Sequence, residues 1–294
     1  MQAASYEPVL RSITGLLPDS RYFIDYAFLG TDISLTESYN GCDFLIPTER
    51  VGSTAVIHPR TFAGDLYSES NATLEKGDVL EIFDRLQVTF KSLGLTDLQF
   101  KGLPTYISGI HDAWLEEYSS EEIQTSVVHV DDYHVSNRRK RNIQKGSLLE
   151  FRYPVVDESE IERGWEELLK FLRSRQLNGL DVERVKYLTS TFPHNFSIAM
   201  VLDQNLEVRA LAFTNQIGSC LRLPNYFSTQ NSPGAIDFLI DSLIQTAKGR
   251  GLSTVDLGIS TDPNTGSEVE GIVQFKSEFS ATRKVIKRYS KTIT

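Results

Sequence analysis

Cysteine is scarce in this chain of 294 residues, which has only Cys42 and Cys220. Two cysteines cannot build a disulfide scaffold, and we expect both to be free thiols, as in cytosolic proteins. The chain also lacks an apolar run of about 18 residues and the pattern of a secretory signal peptide. The sequence therefore predicts a cytoplasmic protein without a membrane span.

Positive charge is in short supply as well. Lys and Arg number 30 against 39 Asp and Glu, which gives a net charge of −9 at pH 7. A chain this acidic is a poor general binder of nucleic acid, although a local basic patch could still bind it. Apolar residues make up 40% and charged residues 23%, which excludes collagen-like and disordered chains and is typical of a soluble globular protein.

Motifs for metal, nucleotide or thiol chemistry are missing too. His129 and His134 enclose Asp131 and Asp132, but a strand-and-loop context does not give zinc-ligand spacing. There is no Walker loop and no dinucleotide-binding fingerprint, and neither cysteine has a nearby histidine. We expect no metal cofactor.

The apolar periodicity predicts the same order of elements in both halves of the chain: helix, strands, long helix, strand, helix, strand. Val79 to Leu93, Ile161 to Leu172 and Ile236 to Ile244 repeat apolar residues at three- and four-residue steps, as amphipathic helices do. Antiparallel strands followed by a helical crossover to a further strand predict a mixed α+β fold. We place one domain at residues 1–150 and a second at 151–294.

Two segments near the C-terminus carry a family resemblance. Gly251 to Gly258 ends a strand in Asp-Leu-Gly, and Gly271 to Phe279 reads Gly-Ile-Val-Gln-Phe-Lys-Ser-Glu-Phe. Together they resemble the C-terminal signature of the FemABX-like branch of the GNAT acyltransferase superfamily. Leu103 to Tyr106, Val135 to Lys145 and Phe192-Pro193 agree with that branch in order along the chain. Ser280 stands where the family usually has glycine.

The resemblance implies two tandem GNAT-like domains with mostly antiparallel central sheets flanked by helices, and an active cleft mostly on the second domain. It also implies acyl transfer to an amine. Our leading hypothesis is an N-acyltransferase that uses acyl-CoA, in cell-surface polysaccharide or cell-wall biosynthesis. One alternative is an aminoacyl transferase that uses aminoacyl-tRNA on a peptidoglycan precursor, although the chain lacks the helical-arm insertion of such enzymes. The other is a catalytically degenerate GNAT-fold binding module.

The resemblance matches the CoA pyrophosphate site to a helix start at Asn231, Ser232, Gly234 and Ala235. Free N–H groups and the helix dipole at such a start attract phosphate. This start has one glycine and a proline instead of several spaced glycines, so the cradle is degenerate. The alternative is a plain N-capped helix start.

The same resemblance places Phe275 and Lys276 in the donor site. With Phe275 and Phe279 packed inward, we expect the Lys276 ammonium to face outward and hold a phosphate or stabilise an oxyanion. Asp256 could accept a proton from the attacking amine, and Tyr226 could donate to a phosphate or leaving group. The alternatives are a solvated lysine, an aspartate that caps a turn, and a buried tyrosine with a satisfied hydroxyl.

Residues 136–145 contain five basic residues. Arg138, Arg139 and Arg141 are candidates to bind the phosphates of a tRNA or another anionic substrate. Helical spacing would spread these charges around most of the helix, so a solvated face is the alternative.

Overall fold

The computed structural model describes residues 31–33, 35–39, 42–46, 48–57, 67–68, 76–101, 118–174, 186, 189–190, 196–217, 219–229, 232–261 and 267–293. The chain forms two compact units. Unit 1 comprises residues 1–123 and 285–294, and unit 2 comprises residues 124–284. The sequence placed the boundary at residue 150 instead; residues 124–150 supply most of one strand and a whole helix to unit 2.

Unit 1 combines one long helix with short strands. The helix α1 (Lys76–Ser92) buries Ile82, Phe83, Leu86 and Phe90, which recur at the helical period. The strands are β1 (Thr31–Asp32), β2 (Leu35–Tyr39), β3 (Cys42–Ile46), β4 (Thr48–Val51), β5 (Thr54–Ile57), β6 (Tyr67–Ser68), β7 (Asp97–Lys101) and β14 (Thr282–Thr292). Five of them are neighbours in the order β1-β4-β5-β7-β14, and a smaller sheet has the order β2-β3-β6.

Unit 2 is built on six neighbouring strands in the order β8-β13-β12-β11-β10-β9. Each neighbouring pair is antiparallel except β12 with β13, which is parallel. The strands are β8 (Ser119–His129), β9 (Glu150–Arg152), β10 (Phe196–Leu202), β11 (Val208–Ile217), β12 (Cys220–Ser228) and β13 (Thr254–Ile259). The helices are α2 (Asn137–Gly146), α3 (Glu158–Ser174), α4 (Ala235–Gly249) and α5 (Glu270–Ser277).

Helices cover both faces of this sheet. Alternate residues of β10 point to opposite faces, so Ala199 and Val201 pack in the cluster that contains the apolar side of α4. Ile198 and Met200 pack in a second cluster with Trp165 of α3. Burial on both faces explains why β10 is almost continuously apolar and not alternating.

The parallel strands β12 and β13 separate part of the way along. Their pairing stops at Arg222 and Asp256, although β12 continues to Ser228 and β13 to Ile259. Pro224 of β12 has no N–H to donate to a neighbouring strand. Gly258 of β13 has a φ of 77°, a left-handed value that turns the strand and favours glycine. Pro224 and Gly258 both lie where the strands have separated, and both line the cleft between them.

The predicted fold class is confirmed: the described residues form mixed α+β structure with mostly antiparallel sheets. The helices predicted from periodicity correspond to α1, α3 and α4. Leu103 to Tyr106 and Phe192-Pro193, two segments of the family resemblance, lie outside the described residues. Among those that are described, no helix combines the length and apolar character needed to cross a membrane.

Candidate functional site

The cleft between β12 and β13 leads into a pocket of about 490 Å³ in unit 2. Its walls come from the separated ends of both strands, from α5 and from two side chains of α3. The lining residues are Leu168, Phe171, Pro224, Asn225, Tyr226, Phe227, Leu257, Gly258, Ile259, Gly271, Ile272, Phe275 and Lys276. The structure therefore brings together three of the predicted site residues, Tyr226, Phe275 and Lys276.

Asp256 lies at the point where the two strands separate and is fully buried. Its Oδ1 accepts hydrogen bonds from Thr125 Oγ1 at 2.5 Å and from the Gly258 N–H at 2.8 Å, and its Oδ2 accepts one from Arg222 Nε at 3.2 Å. The bond to Gly258 is the turn-capping arrangement that we gave as the alternative. The role of Asp256 as a proton acceptor stays a prediction.

Lys276 is buried, with 2% of its surface exposed, so the expectation that its ammonium faces outward is wrong. Its Nζ donates hydrogen bonds to the carbonyls of Gly258 at 2.8 Å and Ile259 at 2.6 Å. The physical reason is that β13 has lost its parallel partner here, and buried carbonyls require donors. Helical periodicity alone could not reveal this demand.

Burial lowers the pKa of Lys276 to about 8, and the Asp256 carboxylate partly opposes that shift. The amine is therefore mostly protonated at neutral pH and neutral in alkaline solution. An ammonium has three N–H donors, of which two are used by the Gly258 and Ile259 carbonyls. The third makes no hydrogen bond to a described residue, and Lys276 lines the pocket.

Lys276 should make stability depend on pH. Its pKa is about 8 in the folded chain and 10.5 ordinarily, so between these values the unfolded state binds more protons. Stability then rises with pH across the window, because folding no longer buries an ammonium once the amine is neutral. At about 1.4 kcal/mol per pKa unit, the wild type should gain up to about 3 kcal/mol relative to Lys276→Met. Urea unfolding of both proteins at each end of the window measures this, and a pH-independent difference would contradict it.

Tyr226 reaches the pocket from β12, and its hydroxyl donates to the Leu257 carbonyl at 3.3 Å. Burial, together with the nearby Asp256 carboxylate, raises the pKa of this phenol above its usual value. Tyr226 is therefore neutral throughout the physiological range, so its hydroxyl can donate or accept a hydrogen bond but cannot act as an anionic base.

The predicted phosphate cradle at the start of α4 is covered by α2. Gly234 and Ala235 are buried, and Ser232 is half-buried with its Oγ 3.0 Å from Thr229 Oγ1. The Ala235 N–H donates to the Ser232 carbonyl. The buried carboxylate of Asp237 also lies in the first turn, where it takes the place of an external anion. Asn231 lies outside the described residues.

Arg139 links α2 to the start of α4. Its Nη1 donates to Asp237 Oδ1 at 2.7 Å, and its Nε lies 2.5 Å from Glu278 Oε2 in an orientation that makes no hydrogen bond. Its guanidinium also lies 4.3 Å from the centre of the Phe275 ring. The charge of Arg139 is thus paired inside the protein, whereas Arg138 and Arg141 are exposed. Of the three predicted anion-binding arginines, Arg139 faces inward and the other two face solvent.

The close contact between α2 and α4 requires glycine at Gly234. This residue has a φ of 84°, and a Cβ there would lie 2.3 Å from the Asn142 carbonyl oxygen. We expect Gly234→Ala to destabilise the protein by about 2–4 kcal/mol, from the left-handed backbone and the overpacking together. Gly249→Ala is the control in the same helix, because a Cβ there meets nothing within 4 Å. Denaturant unfolding measures the stability of both variants, and equal losses of stability in the two would contradict the close contact between α2 and α4.

Sequence reasoning did not single out three charged residues that pair with predicted site residues: Arg222 with Asp256, and Asp237 and Glu278 with Arg139. Arg222 had a usable signal, since a charged residue inside an apolar strand usually has a buried partner. Asp237 and Glu278 resemble ordinary helix-end acids in sequence. In the part of the chain that the structure describes, no group of three or more His, Cys, Asp or Glu side chains could hold a metal ion.

Neither a protein-family model nor a curated protein matches this sequence. Solved structures do match. The C-terminal domain of a lysylphosphatidylglycerol synthetase from Agrobacterium fabrum is 13% identical, with a TM-score of 0.63 over 98% of this chain and 92% of that one. FemX is 11% identical, with a TM-score of 0.65 over 98% and 96%. A tandem GNAT protein from the clavulanic acid pathway is 6% identical, with a TM-score of 0.54 over 100% and 97%.

At these identities the similarity concerns the fold. The chain has the acyltransferase-type fold of tandem GNAT proteins, and the FemABX-like resemblance is confirmed at this level. Ser280, where the family usually has glycine, adopts a left-handed φ of 56°, so the turn keeps the conformation that glycine favours.

Proposed function

We propose that this chain is an N-acyltransferase that moves an acyl group from acyl-CoA to an amine, with the reaction in the pocket of unit 2. The observation that carries the proposal is the separation of β12 and β13 beside Lys276 and Tyr226. The pocket at this separation is apolar, has a volume of about 490 Å³, and is lined by one buried cation, Lys276, and one neutral hydroxyl donor, Tyr226. Acyl transfer needs both kinds of donor, because negative charge develops first on the carbonyl oxygen and then on the leaving group.

Each residue has a distinct task in this proposal. The third N–H of Lys276 stabilises the developing oxyanion, while Asp256 helps to keep that amine protonated. As the amine nitrogen forms its bond to the acyl carbon, the carbon–sulfur bond breaks and the O–H of Tyr226 turns from the Leu257 carbonyl to the leaving sulfur. The proton that the amine nitrogen loses goes to that sulfur, so CoA leaves as the thiol. Phe275 packs beside Lys276 and fixes one wall of the pocket. Positioning of the two substrates supplies much of the rate.

The CoA phosphates need a place other than the start of α4. The closed helix start, with the carboxylate of Asp237 in its first turn, does not fit a pyrophosphate. We assign the phosphates to the exposed cations of α2, Arg138 and Arg141. Because the first of these also lies 3.7 Å from Glu278, phosphate binding there would exchange a weak surface ion pair for a stronger contact.

The same closed helix start favours a second candidate, transfer from aminoacyl-tRNA. A tRNA donor needs no pyrophosphate cradle, and exposed Arg and Lys side chains on α2 can contact its backbone. The acceptor class, a surface-polysaccharide or cell-wall amine, and the cytoplasmic location remain predictions based on sequence.

Donor use is tested with the purified chain, a set of acyl-CoAs from acetyl to decanoyl and a mixture of amino sugars and amino acids. A thiol reagent reports released CoA, and mass spectrometry reports the new amide. We expect amide formation with at least one acyl-CoA. Amide formed only from aminoacyl-tRNA, and lost at high salt, would replace the leading donor with the second. No product from either donor would overturn acyl transfer and leave a binding module.

A further inference from the structure

We infer that the pocket in unit 2 selects an apolar acyl chain of several carbons over both an acetyl group and a positively charged acyl group. This inference rests on the proposed function, because it concerns the acyl group transferred at that site. Four features of the pocket carry it: its floor, its rim, its charge and its size.

The floor of the pocket is apolar and closely packed. Phe171 of α3 stacks on Phe227 of β12, with the ring centres 4.4 Å apart and the planes at 15°. Leu168 and Leu257, both almost fully buried, complete this surface. A chain that reached the floor would exchange water for apolar contacts, which is favourable in proportion to the area buried.

The rim of the pocket is also apolar. Ile259 at the end of β13 is 53% exposed and Ile272 in the first turns of α5 is 39% exposed, and both line the pocket. These two isoleucines line the same pocket as the apolar floor and extend its apolar surface to solvent. Large apolar side chains grouped on a surface generally mark a binding site.

The charges at the pocket disfavour a cationic acyl group. Lys276 is the one charged side chain among its described lining residues, so a second cation would be repelled. Asp256, the nearby carboxylate, is fully buried and bonded to Thr125, Gly258 and Arg222. A lysyl-like group would therefore enter the pocket without a counter-ion, which is costly for a buried charge.

The size of the pocket completes the argument. A volume of about 490 Å³ falls within the range of sites that enclose drug-sized ligands, about 300–1,000 Å³. An acetyl group would leave most of this space to water against apolar walls. A medium-length chain would occupy more of it and cover more of the apolar walls.

Binding of S-acyl-pantetheines to the whole chain tests the inference, because these thioesters lack the nucleotide of CoA. Isothermal titration compares the S-acetyl, S-octanoyl and S-(6-aminohexanoyl) compounds. We expect the octanoyl compound to bind at least about 30-fold more tightly than the acetyl compound, since each buried methylene strengthens binding by about threefold to fourfold. The 6-aminohexanoyl compound should bind no more tightly than the acetyl compound.

Two variants locate the effect. Ile272→Glu places a carboxylate at the rim on an exposed position, and it should weaken octanoyl binding by about tenfold. Leu148→Glu, at an 89% exposed position in the same unit and outside the pocket, should leave it unchanged. Equal affinity for all three thioesters, or equal effects of the two variants, would overturn the inference.

Failure of the inference and failure of the proposed function give different results. Amide formation with equal affinity for acetyl and octanoyl thioesters would refute the apolar-chain selectivity and leave acyl transfer intact. Selective octanoyl binding with no amide product from octanoyl-CoA would support the pocket assignment and refute the transfer.

Discussion

Lys276→Met should lower the rate of acyl transfer by at least about 100-fold with any donor and amine that the wild type uses. The substitution keeps most of the side-chain volume but removes the donor that the proposal assigns to the oxyanion. Loss of one such donor costs about 100- to 1,000-fold in enzymes that stabilise an oxyanion. Steady-state rates measured on folded variant and wild type give the ratio.

The dependence of the rate on pH separates catalysis from structural support. Since the pKa of Lys276 is about 8, the wild-type rate should fall above that pH as the ammonium is lost, and the variant should lack this fall. Lys248→Met, at an exposed lysine in the last turn of α4, is the matched control and should retain wild-type activity. A Lys276→Met rate within about threefold of wild type would refute the assigned role.

Arg139→Met should destabilise the protein by about 3–5 kcal/mol. The substitution removes the ion pair with Asp237, whose carboxylate is almost fully buried, and among the described residues leaves that charge with the amide of Asn142 at 3.4 Å as its hydrogen-bond donor. Breaking a buried ion pair by removing one partner costs about this much, because the remaining charge stays desolvated. Denaturant unfolding at neutral pH measures the loss.

Arg138→Met is the matched control for this experiment. Arg138 neighbours Arg139 on α2, but its side chain is 65% exposed and lies 3.7 Å from Glu278. Such a surface ion pair contributes less than about 1 kcal/mol, so the control should be nearly as stable as the wild type. Similar losses for both variants would mean that Arg139 does not hold α2 on α4.

The elements that periodicity predicts well are those whose packing is decided by one amphipathic face. The helix α1 repeats apolar residues at the helical period and buries them as expected, and α4 does the same. The strand β10 was also predictable, since an apolar run bounded by turn residues is typical of a strand buried on both faces.

The site was less predictable, because its geometry depends on where two strands lose their pairing. Sequence placed Lys276 beside the donor through family resemblance, but it could not show that the carbonyls of Gly258 and Ile259 would need a donor. It read Arg139 as one member of a basic cluster. The side chain turns inward because a carboxylate far along the chain, Asp237, lies opposite it. Long-range partners of this kind leave no local pattern.

Hydrogen exchange measured by mass spectrometry tests the central claim most directly, with the chain alone and with an acyl-CoA at saturating concentration. If the acyl group binds where β12 and β13 separate, protection should increase in peptides that cover residues 224–228, 257–259 and 271–276. Peptides from α1 in unit 1 should not change. Protection confined to other segments, or none with any acyl-CoA from acetyl to decanoyl, would contradict the assignment of this pocket as the acyl-transfer site.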